Sequence, residues 1–397
     1  MRPTATTTRA YPLLAAGAVG GGACVNLAFA IWVLVTHPAL NSDFRGPWSV
    51  AGFVRRHAAL LYQAAPLRAF QQQIYPGFNS FFPYQYPPSF LLVIQWMGGC
   101  RFATALAIWT LAGLVALAAS AALFFRPGMR VFGILALLAS PAALLNGAGG
   151  ETGYFTTALL LAGFALLPAR PCCAGIAFGL LTLKPQLGLL IPFALLGRGD
   201  FRAFAAACFI ALALIGLSCA LFPSRLWLDW LRCLPVYQAQ YLAAGKTLGL
   251  NAIVTLAGNL AALGLRPRIV WILQALAGLG GACAVFLAFR HAPYWRAVAV
   301  LFAGMFLCAP HAYAYDTLPL IAAMLLAEPE SAGLVVLCLV TWFAPYLLLT
   351  GAKYWFFYAI PETLLFYAII RLAFSAGRRP NTEHEPVPSP ELPPGQC

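Results

Sequence analysis

"CCAGIAFGLLTLKPQLGLLIPFALLG", Cys172–Gly197, is apolar and long enough to cross a membrane, yet Lys184, Pro185 and Gln186 stand together at its centre. A run of about 18 or more apolar residues reads as a membrane-spanning helix. A lysine in the middle of one is costly unless it is paired or used. Pro185 supplies a way out, because it has no N–H and disfavours helix at the residue before it. The run is therefore expected to form two short arms, Cys172–Leu183 and Leu187–Leu196, joined at a break that carries a charge.

Comparable apolar runs recur along nearly all of the 397 residues, 62% of which are hydrophobic and only 9% charged. That leaves too little polar surface to cover a water-soluble globule. The expected fold is all-α: a polytopic helical membrane protein. Ala10–Thr36, the first run, is too long for a signal peptide and reads as a retained span. The formal charge of +13 stands against only eleven carboxylates. In a soluble protein that excess would point to nucleic acid; here it is the basic bias of cytoplasmic span ends, and no nucleic-acid partner is expected. The eleven cysteines lie mostly inside apolar runs, without Cys-x-x-Cys or metal-ligand spacing. They read as small buried hydrophobes, and no metal is expected. The terminal "PGQC" does not fit a prenylation box.

Charge sets the topology. Arg2 and Arg9 precede the first span, so the N-terminus is assigned inside and the loop Pro38–Tyr86 outside. One arrangement then puts Arg126 with Arg130, Arg198 with Arg202, Arg290 with Arg296, and Arg371 with Arg378 and Arg379 all inside. It requires Pro87–Gly99 and Asn251–Gly264, each too short to span, to be re-entrant or partial helices. Arg101, Arg266 and Arg268 fall outside, against the trend. The Lys184 break faces outward, and so do Asp43, Glu151, His311 and Asp316, the other polar groups near the spans. Scattered polar groups converging on one membrane face are the pattern of a site.

Residues 1–374 read as one membrane-embedded domain with outer loops at about 38–86 and 223–250. The first loop holds an amphipathic stretch, "GPWSVAGFVRRHAALLYQ", suited to the interface, then an aromatic-rich one. Pro223–Leu250, with Trp227, Trp230, Arg232 and Tyr237, also reads as interfacial. The tail 375–397 is polar and proline-rich, and is expected to be disordered and cytoplasmic.

Each candidate site residue has two readings. Asp43, just after the first span, is either a solvated loop residue or a general base able to take a proton from a sugar hydroxyl. Lys184 either snorkels at its break or binds an anionic group such as a phosphate. Glu151, in "GETGYF", either complements a helix N-terminus or binds sugar hydroxyls. His311 and Asp316, in "PHAYAYD", lie about 500° apart round a helix and converge only if the backbone breaks between them. "PYQYPPSF" marks a rigid entry from loop into membrane. Walker, dinucleotide, His-Glu-x-x-His and nucleophile-elbow motifs are absent.

"YPPSFLLVIQWM" (Tyr86–Met97), the stretch from "GETGYF" through the Lys184 segment to "GRGDFRAF" (Gly150–Phe204), and "PHAYAYDTLPL" (Pro310–Leu320) resemble the membrane glycosyltransferases of family 87. These belong to the GT-C superfamily and include polyprenol-phosphate-mannose-dependent mannosyltransferases. The resemblance implies a GT-C-like bundle of about 10–13 transmembrane or partial helices, each span needing the length of the bilayer core. It implies a bacterial inner-membrane enzyme with its site on the periplasmic side, moving a sugar, mannose by the likeness, from a polyprenyl-phosphate donor to a glycolipid or glycan acceptor. By matching position Asp43 is the catalytic base. Lys184, helped by Arg45 and Arg55, binds the donor phosphate, while Tyr86, Glu151, Gln186, His311, Tyr315 and Asp316 contact substrate. No cofactor is implied beyond the lipid-linked sugar, and membrane lipids are the remaining partners. One departure is Glu151-Thr152, where related sequences commonly read Gln-Asn. The competing class is a transporter or lipid-linked-sugar flippase, which would need polar groups in the cytoplasmic half as well.

Overall fold

The computed structural model describes residues 5–36, 43–76, 81–248, 253–329, 331–348 and 358–375. The tail expected to be disordered lies, from residue 376 on, outside the described residues. Among the described residues helices are the regular elements, and a single isolated bridge joins Ile253 to Tyr313.

The first apolar run is helix α1, Ala5–Thr36. The first outer loop contains α2, Arg45–His57, and α3, Ala64–Ile74. Pro87–Gly99 stays short, with only the four residues of α4, Leu91–Ile94, between tighter helical turns. Helix α5, Phe102–Phe124, leads into α6, Pro127–Leu138, and α7, Pro141–Gly149, which meet at 55°. Then follow α8, Gly153–Leu166, α9, Pro171–Leu180, α10, Ile191–Arg198, and α11, Phe201–Leu221. The second half comprises α12, Arg225–Leu248, α13, Leu256–Ala262, α14, Pro267–His291, and α15, Tyr294–Cys308. It closes with α16, Leu318–Ala327, α17, Ala332–Phe343, and α18, Ala359–Ser375.

Among the described residues four helices are long and apolar enough to cross a membrane alone: α1, α5, α11 and α14. The bent α6–α7 pair makes a fifth, and shorter apolar helices account for the rest of the bundle. α11 shows how its surface is solvated: Phe209, Leu212 and Leu221 are each more than half exposed. Such a face is stable against lipid tails rather than water. At the opposite extreme is α15, in which every residue from Ala297 to Cys308 is buried. A helix apolar all round belongs at the centre of the bundle, and there it packs against α14, α16 and α18.

The Lys184 segment breaks as expected. α9 tightens into a 3-10 turn at Leu181–Leu183, Lys184 leaves helical geometry at φ −135° and ψ 72°, and a second turn spans Pro185–Leu187. α10 resumes only at Ile191, later than expected, with Pro192 in its first turn. α9 lies close on α11 because Gly175 and Gly179 present no side chain. A Cβ at Gly175 would sit 2.4 Å from the Ala203 carbonyl oxygen, and one at Gly179 2.6 Å from Ile210 Cβ. Small residues four apart give this close approach between membrane helices.

Two local devices aim the chain at one end of the bundle. Ser140 caps α7 by accepting from the Ala143 N–H at 3.1 Å. Gly150 ends the same helix in the left-handed region, φ 66°, which a side chain resists. A Cβ there would also lie 2.7 Å from Phe44 Cβ. Beyond α15 the backbone runs through Ala309–Tyr313 without helix before the tight turn Ala314–Thr317. That is the broken backbone the His311–Asp316 spacing demanded.

Candidate active site

The two breaks meet. Lys184 Nζ donates to Asp316 Oδ1 at 2.5 Å and to Thr152 Oγ1 at 3.1 Å, and stands 4.9 Å from the centroid of the Tyr315 ring. Both charged side chains are nearly sealed from solvent, 6% and 0% exposed. Burial alone would drive the proton off Lys184, but the carboxylate of Asp316, together with Tyr86 and Glu151, more than offsets this and keeps the ammonium charged. Asp316 Oδ2 accepts from the Tyr313 N–H at 3.1 Å, so both its oxygens are engaged and its side chain is fixed by its own turn.

Around this pair lies a cavity of about 250 Å³. Six residues expected from the sequence line it: Tyr86, Lys184, Gln186, His311, Tyr315 and Asp316. They come from the "YPP" entry, the Lys184 break and the turn before α16. Trp230 and Gln238 of α12 close another side. Trp230 Nε1 donates to the Gln85 carbonyl at 3.1 Å, tying α12 to the entry. Gln238 Nε2 lies 3.0 Å from His311 Nδ1. An amide N–H there assigns Nδ1 as acceptor and leaves the proton on Nε2. Burial and the nearby charge of Lys184 lower His311 to about 4, so the ring is neutral near pH 7. The other amide atom, Gln238 Oε1, is buried without a hydrogen-bond partner.

Glu151 and Asp43 stand together at the edge of this cluster. The Phe44 N–H donates to the Gly149 carbonyl at 2.9 Å, pinning the turn after α1 to the end of α7. The Asp43 and Glu151 carboxyls are thereby brought close enough to influence each other's protonation. The Asp43 residue is exposed overall, while desolvation at its carboxyl raises it above the ordinary aspartate range and the neighbouring Glu151 offsets part of that. The field of Glu151 reaches Lys184, Tyr86 and Tyr315 as well.

Arg45 and Arg55 do not line the cavity. Arg45 lies 5.0 Å over the ring of Tyr75, two residues along from Asp43. Arg55 is exposed and donates to the Gly98 carbonyl at 3.0 Å. Sequence reasoning missed Thr152, Tyr313, Trp230 and Gln238. Thr152 and Tyr313 sit inside quoted motifs and could have been found there. Gln238, a lone polar residue in an amphipathic helix, has no local signal. Among the described residues no three His, Cys, Asp or Glu side chains group as a metal site.

A second, apolar groove of about 650 Å³ opens between α12, α13 and α14, and shares Gln238 and Pro310 with the polar cavity. A charged, hydrogen-bonding chamber thus adjoins a channel suited to hydrocarbon. That combination fits a lipid with a polar head, and it lies on elements brought together by breaks rather than by long helices. No curated protein and no solved structure matches the chain. Residues 84–310, more than half of it, match the model of glycosyltransferase family 87. The matched stretch takes in the "YPP" entry, Glu151, the Lys184 break and α12, and ends one residue short of His311. The chain that builds this chamber in its broken helices belongs to glycosyltransferase family 87.

Proposed function

We propose that this glycosyltransferase takes mannose from a polyprenyl-phosphate donor and passes it, with inversion, to an acceptor hydroxyl on the outer face of the bacterial inner membrane. The observation that carries the reading is the polar cavity around Lys184 lying next to an apolar groove with which it shares Gln238 and Pro310. A phosphate at the cavity would leave its prenyl tail in the groove.

Lys184 is suited to the phosphate even though it is already paired. An ammonium has three N–H donors, and Asp316 and Thr152 take two. The third is left for a phosphate oxygen, where it offsets the charge that develops as the sugar departs. Asp43, beside Glu151, serves as the base that takes the acceptor's proton. The acceptor oxygen then attacks the anomeric carbon as the polyprenyl phosphate leaves from the opposite face. Gln238 Oε1, neutral His311 and the tyrosines supply partners for sugar hydroxyls. Glu151, an acid where an amide is usual in the family, bears on which sugar or acceptor is accepted.

The test is transfer of labelled mannose from polyprenyl phosphate mannose in membranes carrying the full chain. Asp43→Asn is expected to lower transfer by about a hundredfold or more, the usual weight of a positioned base. Full transfer by Asp43→Asn, or by a Lys184→Ala variant that still folds, would sink the assignment of the site. Transfer of another sugar but not mannose would correct the donor alone.

A further inference from the structure

Sharing no lining residue with this chamber, a shallow groove of about 840 Å³ lies between α17 and α18. Its walls are Val336 and Val340 on one side and Ile360 and Leu364 on the other, all exposed. The groove follows α18 for about 22 Å at 1.5 Å per residue. That exceeds the depth of one leaflet's hydrocarbon, about half of a 30 Å core. Its two ends differ. One end, by Ile360 and Val340, is apolar. At the other, where α17 begins and α18 finishes, stands the guanidinium of Arg371, whose recorded contact is the ring of Tyr367 at 6.0 Å.

Two further features make this end electropositive. Arg296 reaches across from the start of α15 to donate to the Leu372 carbonyl at 2.8 Å, bringing a second guanidinium to the last turn of α18. The first turn of α17 presents its unpaired backbone N–H groups, with Ser331 as cap to Leu334. Among the described residues neither arginine has a carboxylate within ion-pair distance. An apolar trough with a cationic end has the shape and charge of a seat for one lipid whose headgroup is anionic.

We propose that this groove binds an anionic phospholipid of the leaflet at the basic end of the bundle, its phosphate held by Arg371 and an acyl chain lying between α17 and α18. The occupant is distinct from the sugar donor, since no residue is shared between this groove and the polar cavity. The proposal stands whether or not the donor is a polyprenyl phosphate.

The full chain, purified from membranes and exchanged into nanodiscs of phosphatidylcholine with or without phosphatidylglycerol, provides the test. Phosphatidylglycerol retained per chain is counted by native mass spectrometry. Wild type is expected to keep one phosphatidylglycerol in preference to phosphatidylcholine. Arg371→Gln is expected to weaken retention about fivefold, the weight of one basic residue at a membrane surface. Leu364→Trp, which fills the groove but spares the guanidinium, should weaken it as well. Arg130→Gln, an exposed arginine on α6, should leave it unchanged. Equal retention by Arg371→Gln and wild type would overturn the proposal. So would an equal loss in Arg130→Gln, which would mean diffuse charge and no seat. Equal uptake of phosphatidylcholine would overturn it too.

Discussion

A buried lysine that carries a charge survives only on the strength of its partners. Lys184 has two, and removing one leaves an uncompensated ion in a sealed site. Asp316→Ala is expected to cost about 3–5 kcal/mol of stability, read as a lowered unfolding midpoint in detergent, and to abolish activity as well. His311 gives a second, independent signal. Its folded-state value of about 4 lies below the ordinary 6.5, so the folded protein favours the neutral ring. Its contribution is therefore present above pH 6.5 and is lost as pH falls from there towards 4. The midpoint is expected to drop over that window, and His311→Asn should flatten the drop. Asp43 acts in the rate, and in the same sense. As a base it works deprotonated, so transfer should rise with pH through a value above that of an ordinary aspartate. Lys184 was legible in the sequence because hydropathy makes a mid-span charge conspicuous. Its partnership with Asp316, 132 residues away, was not, since no local pattern encodes a contact across that distance.

Elements were readable in proportion to how far they depart from plain apolar helix. Pro185 announced the break at Lys184, and the short piece Pro87–Gly99 declared itself by length. The role of α15 was hidden, because a uniformly apolar helix at the bundle centre and one facing lipid look alike in sequence. The α9–α11 contact was hidden for the same reason, although Gly175 and Gly179 are its cause. Gly179→Leu is expected to push the two helices apart and destabilise the fold by about 1–3 kcal/mol, the range for overpacking. Gly216, on the partner helix α11 with open space around it, should tolerate alanine with little change. Thermal unfolding of the two variants side by side checks both statements. Because α9 carries the Lys184 break at its end, the tighter variant should also lose transfer activity beyond its loss of stability.

For the whole molecule, the basic clusters and the polar chamber belong to opposite ends of one bundle in the topology read from charge. Single cysteines at Ser42 and at the exposed Leu189, introduced into a chain whose own cysteines are replaced, should react with a membrane-impermeant reagent from outside intact cells. Failure of both to label would reverse the assigned orientation. The Lys184–Asp316 pair also has a consequence in time. Synthesis runs from the N-terminus at about 5–20 residues per second, so Lys184 exists for on the order of 10 s before Asp316 is made. During that wait the helices up to α15 are inserted with an unmatched cation among them. The proline break that later shapes the chamber also lets the lysine wait at the bilayer surface. Assembly of the site thus waits on the second half of the chain, and a ribosome stalled before Asp316 would leave the part already inserted with its charge still seeking water.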